Sequence, residues 1–153
     1  MMETLILKIE TTGLNPIIDN LIQVCLIDTN GQIIFLKTIY SNKNKAFQYN
    51  GINPSLLETL PEININSLIR EINQIVYDKT LISFNKDFDK SFLDISPLNW
   101  IDVQSSLKNR KRIPNIDKLK IIPSSIYRKA LNILEFITTE TNIIPNNTIS
   151  LNF

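Results

Sequence analysis

Two periods of hydrophobic and polar residues alternate along this chain. Residues 5 to 10, Leu5-Ile6-Leu7-Lys8-Ile9-Glu10, form an apolar run whose two charges flank Ile9. A strand there points Lys8 and Glu10 the same way near its carboxyl end. Thr11-Thr12-Gly13 breaks the period, so Glu10 sits where the strand leaves the sheet, the edge at which open α/β sheets place ligands. Leu21 to Asp28 and Gln32 to Tyr40 read as two further strands joined across Asn30-Gly31, a strong hairpin dipeptide. The Asn-rich stretch 41 to 50 reads as a loop, and the stretch Gly51 to Leu57 starts a short helix ending before Pro61. Ile65, Leu68, Ile69, Ile72, Ile75 and Val76 recur at helical spacing.

Leu81 to Phe84 is a short apolar strand, Asp87 to Leu93 a helix, and Trp100-Ile101 the start of another strand. Residues 105 to 111 continue polar, and 116 to 122 fit neither period. Ser124 or Ser125 caps a helix from Ile126 to Thr139, with Ile126, Ala130, Ile133, Leu134 and Ile137 on its apolar face. Three strands with a hairpin, followed by strands alternating with helices, predict an α/β domain. Its mixed sheet has three antiparallel strands and two parallel additions, flanked by helices. The domain is expected over residues 1 to 140. Residues 141 to 153 are Asn-rich and read as a flexible tail.

The length of 153 residues allows one domain with a real core. A net charge of +1 gives no global electrostatic case for a nucleic-acid partner, although a balanced total can hide a local patch. Lys108, Arg110, Lys111 and Arg112 are the one basic cluster, expected on a loop where a solvated surface or a DNA backbone would suit it. Cys25, the single cysteine, lies in the apolar stretch from Leu21 to Ile27 and is expected as a buried core thiol, which excludes disulfides and a cysteine metal site. The amino-terminal apolar run is too short to span a bilayer and lacks a basic flank, so the expected location is cytoplasmic, with no membrane partner. The chain contains no histidine, which removes the commonest general base near neutral pH.

Lys8-Ile9-Glu10-Thr11-Thr12-Gly13-Leu14 resembles D-x-E-T-T-G-L, the opening signature of the DEDDh (DnaQ-like) 3′-to-5′ exonuclease family, with Lys8 at the first aspartate. Asn50-Gly51-Ile52 is similar to the family's H-G-I block, with Asn50 for the histidine. Asn85, Phe88, Asp89, Phe92 and Leu93 fall in register with H-N-x-x-F-D-x-x-F-L. Arg128-Lys129-Ala130-Leu131-Asn132-Ile133 is similar to H-x-A-L-x-D, with Arg128 for the histidine and Ile133 for the acid. Within the family the resemblance is greatest to the proofreading epsilon subunits of bacterial DNA polymerase III, and it covers almost the whole chain.

The resemblance implies an RNase H-like fold and an ancestral role in DNA replication and proofreading. Of four metal-binding acids it leaves Glu10 and Asp89, with Lys8, Arg128 and Ile133 at the lost positions, so weak or absent catalysis is expected. If the site works, Mg²⁺ or Mn²⁺ would be held by Glu10 and Asp89; otherwise no cofactor is expected. Thr11, Thr12, Leu14, Ile52, Asn85 and Phe88 would surround the terminal nucleotide of a single-stranded DNA 3′ end. A Lys8 ammonium tied to Glu10 and Asp89 is the expected replacement for metal. Thr148 to Phe153 resembles the hexapeptide by which replication proteins bind the sliding clamp, with Ile149, Leu151 and Phe153 as its apolar residues. The alternative to an enzyme is a replisome module that binds the DNA polymerase III catalytic subunit or the clamp.

Overall fold

A computed structural model describes residues 3 to 106 and 125 to 139. Its elements in chain order are β1 (Thr4–Thr11), β2 (Leu21–Asp28), β3 (Ile33–Thr38), α1 (Phe47–Asn50), α2 (Pro54–Leu57), α3 (Ile65–Val76), β4 (Thr80–Ser83), α4 (Lys86–Phe92), β5 (Asn99–Asp102), α5 (Val103–Ser106) and α6 (Ile126–Thr139). The five strands form one sheet in the order β3-β2-β1-β4-β5. The β1–β2 and β2–β3 pairs are antiparallel, whereas β4 lies parallel to β1 and β5 parallel to β4. This is the mixed sheet that the strand pattern predicts, in an RNase H-like arrangement.

Central β1 is buried on both faces, which explains why it reads as an almost unbroken apolar run. One face carries Ile6, Cys25, Ile27 and Ile82 against Ile126, Ala130, Ile133, Leu134 and Ile137 of α6. The other carries Leu5, Leu7, Ile9, Val24 and Leu26 against Leu68, Ile72 and Val76 of α3. Cys25 is a fully buried core thiol, and burial pushes its pKa up to about 12.

The turns explain where the elements end. Gly31 adopts φ 79° in the β2–β3 hairpin, where only glycine is unstrained, and its carbonyl accepts the Tyr127 hydroxyl at 2.6 Å, tying α6 to the hairpin. Asparagines start three helices: the Asn53, Asn64 and Asn85 side chains accept backbone N–H groups of α2, α3 and α4. Ser125 does the same for α6, accepting from the Arg128 amide at 3.1 Å. Within the stretch expected as a loop, the structure adds the one-turn helix α1, closed by Gly51 at φ 72°. The expected tail, the basic cluster from Lys108 to Arg112 and the ambiguous stretch 116 to 122 lie outside the described residues.

Candidate active site

The carboxyl ends of β1 and β4 emerge side by side, because the two strands are parallel and directly paired, Leu7 opposite Ser83. Glu10 leaves the sheet at this edge. The antiparallel register with β2 slips between Glu10 and Thr11, which face Gln23 and Leu21, and such a bulge bends the strand and re-aims its side chains. Asp89 reaches the same end of the sheet in the first turn of α4, just after β4, and is buried. Ile6, Lys8 and Glu10 alternate on the face of β1 that α6 covers, as the strand period requires. Lys8 is half-buried there.

The decisive side chain is one that the motif comparison passed over. Lys129 Nζ donates to Glu10 Oε1 at 2.8 Å, with only 6% of the lysine side chain and 11% of the glutamate side chain exposed. Arg128 and Ile133 are the α6 residues that the motif aligns with the family's histidine and acid. Ile133 instead packs in the core with Ile6, Cys25 and Ile27, and Lys129, one turn earlier, is the α6 residue that holds Glu10. Arg128 is half-buried beside it. A signal was present in the sequence: Lys129 lies three residues after Ile126 and four before Ile133, squarely on the apolar stripe of the helix.

The turn after β1 is built by its own polar groups. Thr11 donates its hydroxyl to the Gly13 carbonyl at 2.6 Å. Thr12, 0% exposed, accepts from the Asn20 amide at 2.9 Å and donates to Asp19. The Asp19 carboxylate also accepts from the Asn15 amide at 3.0 Å and pairs with Lys45 at 2.8 Å. Lys45 foremost, and the Asn15 N–H, hold the Asp19 carboxyl below the usual carboxylate range.

The segment that follows β3 is stitched over this turn. Asn50 donates to the Thr11 carbonyl at 3.2 Å, and Asn44 bridges the Asn50 side chain and the Ile52 carbonyl at 2.8 and 2.7 Å. A cavity of about 300 Å³ opens beside it, lined by Gln23, Leu36, Asn50, Ile52, Ile126 and Tyr127 among others.

Of the residues expected around a terminal nucleotide, the structure therefore encloses Thr11 and Thr12 and uses their hydroxyls inside the turn. Leu14 is 84% exposed, and Ile52, Asn85 and Phe88 are half-buried. Asn85 caps α4 by accepting from the Phe88 amide at 3.2 Å, and the Phe88 ring packs on Phe92, their centroids 5.2 Å apart.

The donor set does not fit a divalent metal pair. Glu10 already carries a buried ammonium at contact distance, and among the described residues no three carboxylate, thiol or imidazole groups converge as a metal site would need.

Strand order, paired carboxyl edge and covering helix define a domain of the DnaQ-like (DEDD) exonuclease fold. Solved structures share it. Exonuclease X in complex with 5′ overhanging duplex DNA matches with a TM-score of 0.63 at 15% identity, over 90% of this chain and 92% of that one. The nuclease-containing catalytic unit of Neurospora crassa Pan2 matches with a TM-score of 0.68 at 13% identity, over 87% of this chain and 26% of that one. The zinc-bound E. coli exonuclease I complex with single-stranded DNA gives 0.59 at 15% identity, over 94% of this chain and 42% of that one.

In sequence the chain is similar to the PolC-type DNA polymerase III of Bacillus subtilis (strain 168), 25% identical over 122 residues, which is 76% of this chain and 8% of PolC. The chain thus spans a small part of that relative. No family model matches it.

Proposed function

We propose that the chain is a replication-associated, epsilon-like domain that binds a single-stranded 3′ end and cleaves it weakly or not at all. The observation that carries this reading is the 2.8 Å contact between Lys129 and Glu10. Before a dication could use Glu10 it would have to displace an ammonium that is itself buried, and an unpaired buried charge costs several kcal/mol, on the order of 3 to 5. Similarity to PolC and to exonucleases solved with DNA supports the nucleic-acid side of the reading.

In this proposal Glu10 and Asp89 are remnants of a metal site. Thr11 and Thr12 shape the turn, while Leu14, Ile52, Asn85 and Phe88 border the terminal nucleotide. Partners would be the DNA polymerase III catalytic subunit and the sliding clamp, the latter through Ile149, Leu151 and Phe153, in the cytoplasm where replication proteins work. No helix among the described residues is long and apolar enough to cross a membrane.

The test is incubation of the full chain with a 3′-labelled single strand in Mg²⁺ and in Mn²⁺. The expected result is an intact strand that is nevertheless retarded by the protein. Stepwise shortening that disappears in Glu10→Gln would instead establish a working nuclease using metal at Glu10 and Asp89. Clamp binding is read separately by polarisation of a labelled 146-to-153 peptide, with loss of signal expected for Leu151→Ala combined with Phe153→Ala.

A further inference from the structure

We infer that the outer edge of β3 is a docking surface for a second copy of this chain, the two β3 strands pairing antiparallel about a two-fold axis at Leu36. β3 ends the sheet order, so among the described residues no strand lies beyond it. Ile39 donates its N–H to the Ile22 carbonyl at 2.8 Å. In an antiparallel pair the N–H and C=O of one residue point the same way, and the direction alternates along the strand. The backbone groups of Leu36 and Thr38 therefore point away from β2, and a row of such groups is matched by another extended strand.

The side chains leave this edge unguarded. Edge strands are ordinarily protected by several charges or a proline, whereas Ile33-Ile34-Phe35-Leu36-Lys37-Thr38 carries one charge and no proline. Ile33, Ile34 and Leu36 are 47%, 40% and 46% exposed. Ile33 stands opposite Ile27 and Leu36 opposite Cys25, so both lie on the α6 side of the sheet. Ile34, two residues before Leu36, lies there with them.

The strand is also complementary to itself. With the axis at Leu36, this residue meets its own counterpart, Ile34 meets Thr38, and Phe35 meets Lys37. Apolar groups then cover one another on the α6 side, and the Phe35 ring lies against a lysine on the other. The two lysines do not face each other. The register with β2 slips only between Leu26 and Ile27, so Phe35 to Thr38 run regularly up to the axis and past it. β1 is two strands in from this edge, so pairing leaves the carboxyl ends of β1 open in both copies, at opposite ends of one continuous sheet. Such a contact is smaller than the roughly 800 Å² per partner of a standard interface, and the dimer is expected to dissociate in the micromolar range.

The experiment is sedimentation velocity of the full chain from micromolar to submillimolar concentration. The native mass should rise from 17.6 kDa toward twice that value. Leu36→Lys and Leu36→Glu each set like charges against one another at the axis, so each should stay monomeric, whereas their equimolar mixture should dimerise again. Leu36→Pro removes an outward N–H that β2 does not use, a change edge strands tolerate, and it should fold as a monomer. Hydrogen exchange of the Leu36 and Thr38 amides in the native chain should slow several-fold as concentration rises.

A native chain that stays monomeric throughout overturns the inference. So does a dimer that survives Leu36→Lys, or one in which both amides exchange at the dilute rate. If circular dichroism shows that the variants do not fold, the native mass and the concentration dependence of those two amides decide it.

Discussion

The Asn50 side chain donates to the Thr11 carbonyl at 3.2 Å across 39 residues of sequence. Its oxygen meanwhile accepts from the Asn44 amide and the Ile52 N–H at 2.8 and 3.1 Å. One amide thus pins the segment after β3 onto the end of β1. Asn50→Ala removes one hydrogen-bond partner from the Thr11 carbonyl, the Asn44 amide and the Ile52 N–H, of which the Asn44 amide keeps the Ile52 carbonyl as an acceptor, and leaving a buried polar group unsatisfied costs about 1 to 3 kcal/mol. Urea unfolding of Asn50→Ala should show a loss in that range. A midpoint matching the native one would mean that water replaces the amide.

Lys129 and Glu10 form a buried pair, so removing either partner should cost more than removing both. Lys129→Met alone is expected to lose about 3 to 5 kcal/mol, because it leaves a buried carboxylate without its cation. Combining it with Glu10→Gln should recover much of that loss. A double-mutant cycle by chemical denaturation checks this, and strictly additive losses would refute the coupling.

Gly13 has no room for a side chain. A Cβ there would overlap the Asp19 carboxylate, which is held in place by Lys45, Thr12 and the Asn15 amide. Gly13→Ala should therefore destabilise the fold by about 1 to 3 kcal/mol, the usual range for overpacking. The further change Asp19→Ala removes the obstacle, so the effect of Gly13→Ala should shrink in that background. An undiminished effect would locate the strain elsewhere.

Acid should weaken the same turn. The Asp19 carboxyl is held below its ordinary value, first by its hydrogen bond to Lys45. In acid the folded chain therefore binds fewer protons than the unfolded chain, and stability rises with pH there. The contribution is complete above the unfolded carboxyl pKa of about 3.9 and is lost as pH falls through the lower folded value. Melting temperatures of Asp19→Asn should fall less steeply below that pH than those of the native chain. Parallel curves would remove Asp19 from the acid response.

Much of this protein is written in local pattern. Apolar runs placed β1, β2 and β4, Asn30-Gly31 placed the hairpin, and the stripe from Ile126 to Ile137 placed α6 with its inward face. Backbone sterics and side-chain period act over a few residues, so these features can be read without the rest of the chain. The position of Glu10 at the end of β1 followed in the same way, and so did the burial of Cys25. The Asn44–Asn50 brace and the fixing of Asp19 by Lys45 could not be read, because each joins segments that meet only after the sheet has formed.

The identity of the charge facing Glu10 was decided by tertiary structure alone. Residues 129 and 133 lie one turn apart on the same helical face, so periodicity treats them alike. Only the point at which α6 crosses β1 chooses between them. That crossing is set by how Ala130, Ile133, Leu134 and Ile137 pack against Ile6, Cys25 and Ile27, with Tyr127 anchored to Gly31. It puts Ile133 into the core and Lys129 onto Glu10.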